Sequence, residues 1–150
     1  MNGDHPSIGR RVLLGLGMLW TLPNSLLGLL LGVAGMPLGA RAQWRVREHA
    51  LVFSLWPWPW GTGGALTLGN VIIYTGDELA TPCLTYAHRA GRGVDSAILL
   101  ADHEAAHVYQ YMLLGPLFLP VYLLCGGVSV RNPFERAADR YALSGRGWWP

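Results

Sequence analysis

The sequence predicts an α+β fold: a small antiparallel sheet, then helices that carry the candidate site, with two apolar segments beside them. Three observations lead to this. Residues 44–75 hold two runs that read as strands, residues 95–113 and 132–143 read as helices, and residues 12–40 and 112–130 contain no charge at all. One domain suits 150 residues. Only 13% of the residues are charged while 51% are hydrophobic, a balance that favours contact with lipid over a fully solvated surface.

Residues 1–9 form a polar start. The run 12–40 lies between Arg10-Arg11 and Arg41, Arg45 and Arg47, and is long enough to cross a bilayer. A signal peptide is its rival reading, with Ala40-Arg41-Ala42 as a loose cleavage site, but the run exceeds an ordinary h-region. Thr21, Pro23, Asn24 and Ser25 interrupt it, so two short helices are expected rather than one rod. Trp44–Phe53 alternates as a strand does. Trp56-Pro57-Trp58-Pro59-Trp60 fits either an aromatic anchor at headgroup level or a rigid loop packed on the core. Gly61–Gly64 marks a turn, Gly64–Tyr74 reads as the strongest strand, and 76–94 reads as a polar loop. Asp95 is a suitable N-cap for a helix over roughly 96–113. Asn132 caps the last helix, with Pro133 at its first position and Ala137, Ala138 and Ala142 favouring continuation.

The chemistry is concentrated in two short patches. His103-Glu104-Ala105-Ala106-His107 is an H-E-x-x-H motif, and on a helix its histidines share one face four residues apart. Two imidazoles leave a tetrahedral zinc needing a further ligand and one open position. The next acidic residue, Glu135, can complete a His2Glu set, and Asp139, four further on, can accept the remaining N–H of a liganding imidazole. Each residue also has a local explanation. Glu135 stands where a capping box places a glutamate, Asp139 could pair with Arg136 or Arg140, and the histidines could be hydrogen-bonded core residues. The convergence of all four favours a metal site. Cys83 and Cys125 match no metal spacing.

H-E-x-x-H followed by Glu135-Arg136-Ala137-Ala138-Asp139-Arg140-Tyr141-Ala142 resembles the gluzincin metallopeptidases, most closely the membrane-embedded CAAX-prenyl-protein and heat-shock-induced zinc proteases. Two patches of about fifteen residues in all carry the likeness, and a chain this short resembles a minimal member of the kind found in small bacterial membrane proteins. The resemblance implies a zincin-like domain over 1–150, zinc held by His103, His107 and Glu135, Glu104 as general base and Asp139 as the partner that orients a histidine. It also implies a location in the bacterial inner membrane. Gluzincins supply a histidine, tyrosine or arginine after the third ligand. No histidine follows His107 here, and Tyr141 and His88 are the residues chosen for that role.

A geometric demand follows. A straight helix over 112–130 would rise by about 30 Å and leave Glu135 across the membrane from His107. The run must therefore fold back as a bent helix or hairpin, and Gly115-Pro116, Pro120 and Gly126-Gly127 supply the breaks. The expected activity is hydrolysis of a peptide or protein substrate at a lipid surface. One alternative is a catalytically inactive zinc-binding scaffold; another is a site-2-type intramembrane protease, disfavoured by the lack of an Asp-Gly dipeptide. A net charge of +2 from scattered arginines argues against nucleic acid as a partner. The sequence does not specify an oligomeric state.

Overall fold

The computed structural model describes residues 7–58, 64–93 and 97–150. The first apolar run forms two helices, α1 (Ile8–Trp20) and α2 (Leu22–Gly35), the second extended by a 3₁₀ turn over Met36–Leu38. The two axes meet at 67°. Thr21 and Pro23 cause the break, since a proline at the start of α2 removes a backbone donor and suits a new first turn.

The strands that follow are shorter and more numerous than the sequence suggested. The 44–53 run belongs to a hairpin of β1 (Arg41–Arg45) and β2 (Ala50–Ser54). The 64–74 run is also two strands, β3 (Ala65–Leu68) and β4 (Val71–Tyr74), reversed at Gly69-Asn70. Gly69 has φ +62°, a left-handed conformation that costs glycine little. That reversal corrects the expected antiparallel sheet. The sheet order is β1-β2-β4-β3, so β4 enters the middle and runs parallel to β2, with Leu51 opposite Val71. The Asn70 side chain donates to the carbonyl of His49 at 2.8 Å, tying the turn to the neighbouring hairpin.

The period of two along the strands sorts their side chains onto two faces. Val52, Ile72 and Tyr74 pack with Leu100, Ala101 and Val108 on one side. Phe53, Val71 and Ile73 pack with Leu31 and Trp56 on the other, against α2. The approach of α2 depends on Gly28, Gly32 and Gly35, which share one helical face and are buried. A Cβ at Gly32 would come within 2.2 Å of the Phe53 ring. Alanine in place of a helical glycine ordinarily stabilises by up to about 1 kcal/mol. Gly32→Ala is instead expected to destabilise by about 1–3 kcal/mol through overpacking, read from a thermal or denaturant melt.

Residues 76–94, read as loop, contain β5 (Pro82–Cys83) and a one-turn helix, α3 (Tyr86–Arg89). The strand β6 (Ile98–Leu99) pairs antiparallel with β5, so helix α4 starts at Leu100 and not at 96. Strand pairing took Ile98 and Leu99, two residues expected in its first turn. Asp95, its expected N-cap, lies outside the described residues, as do Pro59, Trp60 and the first three residues of the Gly61–Gly64 turn. Trp56 is a packed residue, its indole N–H donating to the carbonyl of Leu31 at 3.0 Å.

Helix α4 (Leu100–Leu114) is buried on nearly every side, as a central helix must be. A 3₁₀ turn over Gly115–Leu117 leads to α5 (Phe118–Leu124). The stretch Leu100–Leu124 is long and apolar enough to cross a bilayer, a property that core helices of water-soluble proteins share. It is not straight. The ring centroid of Tyr122 lies 6.1 Å from that of His107, whereas a straight helix would separate the two residues by about 22 Å. The reversal occurs at Gly115, where φ is +56°, and the chain turns again at Gly126-Gly127, both with positive φ. Buried Asn132 holds the return. Its amide donates to the carbonyls of Tyr122 and Gly127 at 3.1 and 2.7 Å, and its side-chain oxygen accepts from the Phe134 N–H at 3.0 Å. That last contact caps α6 (Pro133–Ser144), which packs along α4.

Candidate metal centre

Two helices supply the candidate ligands. His103 and His107 project from consecutive turns of α4, and Glu135 from the first turn of α6. Ala106, Ala137 and Ala138 are completely buried, and such small side chains permit the close approach of two helices. The three donor atoms form a nearly regular triangle. His103 Nε2 and His107 Nε2 lie 3.2 Å apart, and Glu135 Oε2 is 3.1 Å from the first and 3.4 Å from the second. Ligands at tetrahedral angles and roughly 2.0–2.2 Å from zinc lie about 3.3–3.6 Å from one another. The buried triangle is thus only slightly tighter than a tetrahedral ion requires, and the group can hold a metal ion.

The remaining ring nitrogens explain which lone pairs are offered. His103 Nδ1 lies 3.0 Å from a carboxylate oxygen of Asp139, and His107 Nδ1 lies 2.8 Å from Oε1 of Gln110. Gln110 cannot readily turn its amide round, because its NH2 donates to the carbonyls of Phe134 and Trp148 at 3.1 and 2.7 Å. With both Nδ1 atoms donating to these acceptors, both Nε2 lone pairs face the third ligand. Asp139 is held in turn by the Tyr86 backbone N–H at 2.7 Å. Glu135 is oriented the same way: Tyr122 donates its phenolic proton to Oε1, leaving Oε2 toward the histidines. Burial alone would raise the Glu135 carboxyl, but when no ion is held and the imidazoles carry protons on Nε2, hydrogen bonds from His103 and His107 outweigh it and hold the group well below the usual carboxylate range.

Glu104 and the triangle line the same cavity, of about 110 Å³, together with Thr67, Tyr86, Tyr111 and Tyr122. The Thr67 hydroxyl donates to Glu104 Oε2 at 2.6 Å. The pleat accounts for this contact, because Thr67 lies opposite Ile72 and so on the side of the sheet that faces α4. Strand β3 is an edge of the sheet, and its Ala65, Leu66 and Thr67 form one wall of the cavity.

The structure therefore brings His103, Glu104, His107, Glu135 and Asp139 together. It does not bring Tyr141 or His88 to them. Tyr141 packs its ring against Tyr109 at 5.9 Å and lines a separate cavity with Arg10 and Arg146. The His88 side chain lies off the cavity wall, with Nδ1 buried and lacking a hydrogen-bond partner among the described residues. Gln110, Tyr122, Thr67 and Tyr86 went unread in the sequence. Gln110 alone left a trace there, three positions after His107 on the same helix face. If the Gln110 amide fixes the His107 tautomer, Gln110→Leu should weaken the affinity for a divalent metal ion about 10–100-fold, as measured by competition with a chromogenic chelator. Comparison with known proteins finds no family model, no curated protein and no solved structure that matches this chain.

Proposed function

We propose that the protein is a membrane-associated, zinc-dependent metallopeptidase with a zincin-like arrangement of sheet and helices. The observation that carries the proposal is the donor triangle: three buried lone pairs, each oriented by its own partner, converge at the spacing of a tetrahedral site. A borderline-soft ion taking two imidazoles and one carboxylate suits zinc. When bound there, zinc supplies Lewis acidity, lowering the pKa of a water in its open position to about 7 and polarising a carbonyl.

The chain's own residues do the rest. Glu104 accepts the proton from the attacking water and delivers it to the departing amine. Thr67 restrains that carboxylate from one side, leaving its other oxygen for the proton transfer. Tyr86 replaces Tyr141 and His88 as the donor to the developing oxyanion. Its phenol lines the cavity, its ring centroid lies 5.8 Å from that of His103, and burial pushes its pKa above the ordinary value, so the proton stays available. The outer edge of β3 offers main-chain groups to an extended peptide beside the cavity.

Membrane association rests on the outer faces of α1, α2 and α5. Leu13 and Leu30 are each 71% exposed and Leu124 is 88% exposed, and no described element covers them. Hydrolysis of fluorescein-labelled casein by the detergent-solubilised protein tests the proposal. Activity should require zinc, disappear with a chelator and return with added zinc. A zinc-loaded protein without activity would favour the inactive scaffold.

A further inference from the structure

The cavity that holds Tyr141 opens onto a second, larger space with no role in the metal chemistry. Between α1 and α4 runs a groove of about 530 Å³, lined by Leu13, Leu16, Trp20, Met112 and Leu113. Gly17 permits the helices to come this close, since a Cβ there would lie 2.9 Å from that of Met112. At one end the groove meets a chamber of about 430 Å³ that contains Arg10, Arg146, Tyr109 and Tyr141. Arg10, Tyr109 and Trp148 border both spaces. The wall formed by the C-terminal residues is fastened in place: Arg140 donates to the carbonyls of Gly147 and Trp149, and Gln110 to that of Trp148.

We infer that this groove binds one anionic phospholipid, with an acyl chain along α1 and the phosphate between Arg10 and Arg146. Three features select that occupant. The volume lies in the range of ligand sites, and the walls are mostly apolar, with Arg10 as their one charged residue. From Arg10 to Trp20 helix α1 rises about 15 Å, half the thickness of a hydrocarbon core, so the groove matches a single leaflet. No ion pair with a carboxylate is formed by either arginine among the described residues, and both line the same chamber. Two such guanidiniums at the wet end of an apolar groove complement a phosphate diester, and Tyr109, Tyr141 and Trp148 are residue types that settle at a headgroup boundary. The inference shares the membrane location with the proposed function and uses none of its metal chemistry.

Quenching of tryptophan fluorescence by lipids with brominated acyl chains tests it, because Trp20 and Trp148 line the groove. The full chain in detergent micelles is titrated with brominated phosphatidylglycerol and, separately, with brominated phosphatidylcholine. Phosphatidylglycerol should saturate near one lipid per chain and bind at least tenfold more tightly than phosphatidylcholine. The Arg10→Gln/Arg146→Gln variant should weaken the phosphatidylglycerol interaction about 25-fold, roughly fivefold for each arginine lost near a lipid surface. Both side chains are exposed, so the fold should persist, which circular dichroism checks. Equal binding of the two lipids, undiminished phosphatidylglycerol binding in the double variant, or no quenching by either lipid would each overturn the inference. Zinc content does not enter the readout, so the outcome is independent of the metal site.

Discussion

The Glu104→Gln variant is expected to lose peptide hydrolysis by about 10²–10⁴-fold while keeping its zinc and its fold. Glutamine preserves the shape of the side chain and can still accept from Thr67 through its amide oxygen, so the buried contact at 2.6 Å survives. What it removes is the capacity to take up a proton. The loss should fall on kcat with KM little changed, because the carboxylate acts in the transition state and not in holding the substrate. Thr67→Val leaves the proton acceptor but frees it to move, so a smaller fall in kcat is expected, recovered by Thr67→Ser. A Glu104→Gln protein as active as wild type would remove Glu104 from the chemistry and, with it, the proposed role of Thr67.

Zinc should stabilise the folded chain by an amount visible in a simple melt. The donor triangle joins Glu135 to histidines about thirty positions earlier on another helix, so the unfolded chain lacks the site and binding free energy becomes folding free energy. At a free zinc concentration of 1,000 times Kd the gain is about 4 kcal/mol. For a chain of this length that corresponds to a rise in Tm of roughly 8–16 °C. Addition of a chelator should reverse the rise. Glu135→Gln should abolish most of the dependence on zinc, since an amide is a poor ligand for it. Equal melting temperatures with and without zinc, in otherwise intact protein, would contradict a site assembled by folding.

Much of this centre was legible because its rules are local. The four-residue spacing of His103 and His107 sets a common helical face, and Asn132-Pro133 announces the start of the helix that carries Glu135 and Asp139. The reversal between them was a geometric necessity once all three residues were taken as ligands, and Gly115 and Gly126-Gly127 mark where it occurs. Other features depended on distant partners. The parallel pairing of β2 with β4 follows from a turn at Gly69-Asn70, hidden inside a run whose apolar pattern continues through it. Ile98 and Leu99 became strand instead of helix because Pro82 and Cys83 were there to pair with them. Tyr122 reaches Glu135 only after α5 has folded back, so nothing in its own neighbourhood signals the contact. The stripe of Gly28, Gly32 and Gly35 went unread in the sequence, because its meaning required the sheet that packs against it.

The central claim is that His103, His107 and Glu135 hold one zinc ion, and elemental analysis of the purified full chain in detergent addresses it most directly. The account predicts close to one zinc per wild-type chain, and a large loss in Glu135→Ala with helical content retained by circular dichroism. Wild-type protein that takes up no zinc when supplied with it, or a Glu135→Ala variant that binds as much as wild type, would contradict it.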